Sequence, residues 1–253
     1  MAIGEHEAMQ TVDTAPAGVI RVRADNPSAM TLDGTNTYVV DGWVVDPGPD
    51  DRAHLDAVLA AAGGSVDGIA ITHAHADHDA GAPALAELAG GVPIVRPRDG
   101  DEVGPLRAVA TPGHAPDHVC FVLGGVCFTG DAVAGAGSSF ITRDGGGLAA
   151  YLDGLRRLRE LDLEVLCPGH GPFVHDPRAK LDEYIEHRLE RERKLLAALD
   201  SGIRDRDGLL DAAWDDVDWS LSPYVRQAAG LTLDAHLDKL REEGRLPAEG
   251  VGI

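Results

Sequence analysis

The chain is 253 residues long, with 44% hydrophobic and 25% charged side chains, enough to bury the core of one sizeable domain or of a domain with a small appendage. Its 22 Lys and Arg against 42 Asp and Glu leave a formal charge of -20; with no dense basic run to displace counterions, this balance excludes DNA as an expected partner and disfavours RNA. No stretch is long and apolar enough to cross a bilayer, and three cysteines without CxxC spacing argue against a disulfide framework.

The first residues, MAIGEHEAMQ, lack a basic start followed by an apolar run, so 1–17 is expected to be a flexible polar tail rather than a secretory signal. A cytoplasmic setting follows, with Cys120, Cys127 and Cys167 as reduced core thiols. GVIRV at 18–22 reads as a strand, and 36–40 with 43–46 as a hairpin turning at Asp41-Gly42. Leu55, Val58, Leu59 and Ala62 repeat at helical spacing. DGIAIT at 67–72 is a buried-type strand, and PALAELA at 83–89 a helix with proline in its first turn. VPIVR and LRAVAT are further strands, and VCFVLGGVCFTG a hairpin turning at Gly124-Gly125. A helix over 147–161, the strand EVLCPG and a long helix over 178–200 complete an order of strand pairs alternating with helices, an α/β domain spanning 18–200.

A composition change after Ser201-Gly202 marks a second unit, 201–253, read as helices followed by a short hairpin, the outline of a winged-helix-like module. It carries six Lys and Arg and eleven Asp and Glu, a net of 6 − 11 = −5, opposite to what a DNA-reading helix needs. Its expected roles are packing, homo-oligomer formation or shaping the path to a site.

The chemistry concentrates in His73-Ala74-His75-Ala76-Asp77-His78, between a strand and a helix. Residues two apart on an extended exit point the same way, so His73 and His75 can grip one metal, while Asp77 and His78 reach a second where the chain turns. His114 in TPGH, Asp131 in FTGD and His170 in PGHG are each delivered just past a strand by a glycine turn. Ligands from several strand ends can converge on one rim, rigid yet open to solvent.

HAHADH, TPGH, GD and PGHG together resemble the metallo-β-lactamase superfamily, over roughly 18–173. MTLDGTNTYVV, TPGHAPDH, CPGHGP and the helix containing YIEHR, with a small helical unit after it, more narrowly resemble its LACTB-like subgroup of endoribonucleases and thioesterases. The resemblance implies a four-layer αββα sandwich with two divalent metals at one edge. It implies His73, His75 and His114 on the first metal, Asp77, His78 and His170 on the second, and Asp131 between them. Imidazoles suit zinc, with iron or manganese also compatible. Two dications roughly 3.5–4 Å apart acidify a shared water, and the resulting bridging hydroxide attacks a carbonyl carbon or phosphorus. Asp77 is the expected residue to orient it.

Five more residues are candidates for support or pocket roles: His118 as a hydrogen-bond partner of a ligand carboxylate, Asn36 at the rim, Ser138 and Ser139 along the pocket, and His187 facing the cleft from the long helix. A satisfied core histidine, a hairpin-start asparagine, turn serines and a solvated helix face are their ordinary alternatives. Three functions compete. A thioester or activated-ester hydrolase acting on a small molecule agrees best with the acidic chain. A single-stranded RNA phosphodiesterase is favoured by the subgroup resemblance but opposed by the charge, and a non-catalytic metal-binding interaction protein is opposed by the full ligand set.

Overall fold

Asp41 and Gly42 both take positive φ, 44° and 78°, the geometry of a two-residue turn that folds strand β2 (Asn36–Val40) back onto β3 (Trp43–Val45). The computed structural model describes residues 14–219 and 223–246. β1 (Val19–Arg23) pairs antiparallel with β2, and β4 (Gly68–Ala70) and β5 (Ile94–Val95) continue the sheet in parallel, in the order β1-β2-β3-β4-β5. Parallel neighbours need crossovers, and helices supply them: α1 (Arg52–Ala61) before β4, then α2 (Ala76–Asp79) and α3 (Ala82–Leu88) before β5. Asp51 caps α1 by accepting from the His54 N–H at 2.8 Å.

The second sheet runs β10-β9-β8-β7-β6, comprising β6 (Glu102–Val103), β7 (Leu106–Ala110), β8 (Val119–Leu123), β9 (Val126–Gly130) and β10 (Val165–Pro168). Only β10 and β9 are parallel, and helix α4 (Gly147–Arg159) lies on the connection between them. Side-chain alternation sorts the core into three layers. Val44, Ile69 and Ile71 face α1 and α3; Tyr38, Val45, Phe121 and Phe128 meet between the sheets; Cys120, Cys127 and Leu166 face α4 and the long helix α5 (Pro177–Asp200). The result is the expected αββα sandwich. The two-residue β6 escapes sequence reasoning because a pair this short, ending at Gly104-Pro105, has no alternation to detect. All three cysteines are free and buried.

After α5 the described residues form two helices, α6 (Arg206–Ala213) and α7 (Pro223–Glu242), and no strand. Leu209, Leu210, Leu233 and Leu237 pack on Leu195 and Leu199 at the end of α5. Buried Glu192 receives Lys239 at 2.6 Å as well as Arg245. The hairpin expected after these helices falls on 247–253, and most of the expected tail on 1–13; both lie outside the described residues. No helix among the described residues is long and apolar enough to cross a membrane.

Candidate metal centre

Four chain turns leave the same edge of the sandwich: Thr72 to His78 after β4, Thr111 to His114 after β7, Asp131 after β9 and His170 after β10. They bring all seven sequence-predicted ligand candidates together. His75 Nδ1 lies 3.1 Å from His73 Nε2 and 2.9 Å from His114 Nε2. His170 Nε2 lies 3.3 Å from His78 Nε2 and 3.2 Å from Asp77 Oδ2. Asp131 faces both groups with separate oxygens: Oδ2 is 3.3 Å from His114 Nε2, and Oδ1 is 3.3 Å from both His78 Nε2 and His170 Nε2. Three groups have their ligand atoms mutually close enough for one ion, and two of them consist wholly of the predicted candidates: His73-His75-His114-Asp131 and Asp77-His78-His170; the third is Asp46-His73-His78.

The surrounding hydrogen bonds fix which ring nitrogens carry lone pairs. The Thr72 hydroxyl donates to Asp46 Oδ2 at 2.7 Å, so it must accept from His73 Nδ1–H at 2.9 Å, leaving a lone pair on Nε2. His114 Nδ1–H donates to the Phe140 carbonyl at 3.1 Å, and His78 Nδ1–H to Asp46 Oδ2 at 2.8 Å. With Nδ1 committed in all three rings, Nε2 of His73, His78 and His114 is the atom left to face a space lined by carboxylates, where Asp131 Oδ1 is buried with no hydrogen-bond partner. Such acceptors facing one another need positive charge between them, protons on the rings in the metal-free protein or a metal in their place. Nitrogen and carboxylate donors with outer partners holding each tautomer suit a transition metal.

The same crowding governs protonation of the metal-free side chains. Burial, joined by the neighbouring imidazoles, pushes His73 far below the ordinary histidine value and His118 down to about 3. At His170 burial works in that direction too but is overcome by the Asp131 and Asp77 carboxylates beside it, raising it to about 9. His78 is likewise raised against its burial, by Asp131 and Asp46. Burial alone would raise Asp131, yet His78 and His170 hold it well below the usual carboxylate range.

The supporting candidates divide. His118 Nε2 accepts the Asp131 backbone N–H at 3.1 Å, so it steadies the chain at Asp131 rather than a carboxylate. Asn36 Nδ2 donates to the carbonyls of Pro168 and Gly171, both at 2.9 Å, clamping the turn that carries His170; it is buried away from the rim. Ser138 and Ser139 line a cavity of about 440 Å³ opening on His75, Asp77, His114, Asp131 and His170. His187 does not line it: half-buried on α5, it lies near Arg188 and Arg191, and burial followed by those two cations lowers it to about 4.

Asp46 was missed. It sits just past β3 with φ 51°, in the left-handed region that aspartate adopts more readily than most non-glycine residues. Its carboxylate accepts from the Thr72 N–H at 2.8 Å, the Thr72 hydroxyl and His78, and so holds His78 directly and His73 through Thr72. Like Asp131 it is an acid just past a strand, but its glycine follows it in VVDPG where that of Asp131 precedes it in FTGD, so the same rule passed it over.

The family description "Metallo-beta-lactamase superfamily" matches residues 30–109 and 92–170, a span containing every residue of the two sets. The chain belongs to the metallo-beta-lactamase superfamily. A lactamase-like protein of Aspergillus niger is 32% identical over 94% of this chain and 85% of its own length. An atrochrysone carboxyl ACP thioesterase of Aspergillus fumigatus is 32% identical over 79% of this chain and 71% of its own. The crystal structure of a metallo-beta-lactamase family protein from Thermus thermophilus superposes with a TM-score of 0.68 at 26% identity, covering 90% of this chain and 94% of that one. As a superfamily member with these two clusters, the protein is a metal-dependent hydrolase.

Proposed function

We propose that the protein hydrolyses a thioester or activated ester of a small molecule with two divalent ions, zinc in the first instance. His73, His75 and His114 would hold one ion, Asp77, His78 and His170 the other, with Asp131 between them. The pair would supply an acidified water and an electrophilic hold on the carbonyl oxygen. Asp77, at the cavity wall, then orients the attacking water through its carboxylate. Its oxygen joins the acyl carbon, the carbon–sulfur or carbon–oxygen bond breaks, and the thiol or alcohol leaves protonated.

One observation carries the choice of substrate. The cavity over the clusters is walled by Met30, Leu32, Ala134, Ala136 and Phe140, and its lining includes neither Arg nor Lys. An apolar wall suits an acyl arm; a run of phosphates needs cations along its path. The charge of -20 works the same way, and the relative named as an ACP thioesterase supports the reading. We further place the chain in the LACTB-like subgroup and in the cytoplasm. We divide it into a tail at 1–17, a catalytic domain at 18–200 and a winged-helix-like unit at 201–253. A hydrolysis panel of acyl thioesters, lactones, phosphodiesters and short single-stranded RNA, with and without chelator, tests the function. Chelator-sensitive thioester cleavage is expected; RNA cut while thioesters stay intact would overturn it.

A further inference from the structure

The loop over 132–140 forms one wall of the metal cavity and is held from behind by α5. The Tyr184 hydroxyl accepts from the Ala134 N–H at 3.1 Å and donates to the Gly137 carbonyl at 3.0 Å. One turn further along, Arg188 donates through Nη2 to the Ser138 hydroxyl oxygen at 2.8 Å and to the Ser139 carbonyl. Arg188 is only 2% exposed, and its Nε is buried without a partner. Among the described residues no carboxylate stands within ion-pair distance of it, whereas its neighbour Arg191 is paired with Asp216. The nearest compensation is the Tyr151 ring, 5.7 Å from the guanidinium carbon. A buried cation without a counter-ion is costly, so its field falls on whatever its hydrogen bonds reach.

They reach Ser138. That hydroxyl accepts from a charged donor and so keeps its own hydrogen to give. The residue is exposed, on the cavity wall. The other hydroxyls lining the cavity are committed within the protein, Thr31 donating to the Asn26 carbonyl at 2.5 Å and Ser139 to the Ala132 carbonyl at 3.2 Å. Against walls of Met30, Leu32 and Phe140, one donor-rich point remains.

We propose that Ser138, polarised by Arg188, binds an acceptor oxygen on the substrate's acyl arm, so that the pocket selects acyl groups carrying a carbonyl or hydroxyl oxygen beyond the scissile bond. This rests on the ester or thioester reading above and narrows its substrate class. Ser138 makes the contact; Arg188 is a positioning residue that orients the hydroxyl. A site that hydrogen-bonds an oxygen discriminates against the analogue lacking it, because an alkyl arm lying over Ser138 displaces water from the hydroxyl and leaves it unpaired.

The test uses stable thioether analogues, the scissile carbonyl replaced by methylene, in matched pairs with a plain alkyl arm or an arm bearing an oxo group at its third, fourth or fifth carbon. Calorimetry on the metal-loaded protein gives the affinity ratio within each pair. One oxo analogue is expected to bind about tenfold more tightly than its alkyl partner, the worth of one hydrogen bond. The ratio should collapse toward one in Ser138→Ala and survive in Ser138→Thr, which keeps the hydroxyl. A ratio near one for every pair in the unaltered protein, or a preference that persists in Ser138→Ala, overturns the proposal. Turnover of the corresponding thioesters by the unaltered protein is scored separately. Absence of cleavage there counts against the ester reading, while the binding ratio still decides Ser138.

Discussion

Asparagine at position 46 would change one oxygen to an amide while keeping shape and the left-handed backbone, which asparagine tolerates as well as aspartate. Asp46 accepts three hydrogen bonds: the Thr72 N–H on Oδ1, and the Thr72 hydroxyl with His78 Nδ1–H on Oδ2. The amide accepts on one atom only. With its oxygen toward the Thr72 N–H, its NH2 faces the hydroxyl and His78, and both must reverse: His78 moves its proton to Nε2, and the hydroxyl turns to donate to His73 Nδ1. Each change removes a lone pair from the metal sets. With the amide flipped, those two bonds survive but a rigid backbone N–H meets another donor in a buried place. Restoring the metal-ready arrangement then costs about 1–3 kcal/mol, the penalty of one unsatisfied buried group. That corresponds to metal affinity weaker by about 10- to 100-fold. Competition against a chromophoric chelator, with metal content measured on the same samples, reads the effect directly. Full occupancy of Asp46→Asn at the affinity of the unaltered protein would refute the tautomer argument.

Asp131→Ala should lose activity and one of two metals while the far-ultraviolet circular dichroism stays unchanged; an unaffected rate would show that its place between the two sets is not used. Gly169→Ala should empty the site without a change of charge, because a Cβ there would stand 2.5 Å from His78 Cε1 and 2.9 Å from Asp131 Oδ1; normal metal content would mean the turn yields more readily than its contacts allow. In the metal-free protein His170 is raised to about 9, so below that pH a metal must displace its proton. Affinity at that set should rise about tenfold per pH unit per proton until pH 9, and calorimetry in buffers of different ionisation enthalpy should detect the release. The same shift stabilises the metal-free fold fully below about pH 6.5, and that contribution is lost as pH rises through about 9. No detectable proton release at about pH 7 would contradict both.

Most of the fold was legible because its signals are local. The Asp41-Gly42 turn, the alternation in Asn36–Val40 and the helical spacing of α1 and α5 need only their own residues. The ligand candidates were legible for a related reason: a histidine or aspartate after a strand and beside a glycine has few structural excuses. Residues that act from afar were harder. Asn36 could be read only as a rim residue or a hairpin-start asparagine, because its bond to Pro168 spans 132 positions. Arg188 sits among charges typical of a solvated helix face, and nothing nearby marks it as buried. His187, its neighbour, drew the attention that Arg188 warranted.

Helix α5 explains why those two adjacent residues differ so sharply, and what the C-terminal helices do for the site. Tyr184 and Arg188, four apart, lie on one face and grip the cavity loop. Arg191, Leu195 and Leu199 continue along the helix, with Arg191 bonded to the Ala213 carbonyl at 2.7 Å and the two leucines inside the core of α6 and α7. One rigid element therefore serves two neighbours, the cavity wall at its N-terminal half and the terminal helices at its other. Buried Glu192 pairs with Lys239 of α7 one turn beyond Arg188, whose own bond goes to Ser138. On these contacts the described terminal helices pack on the same helix that backs the cavity wall.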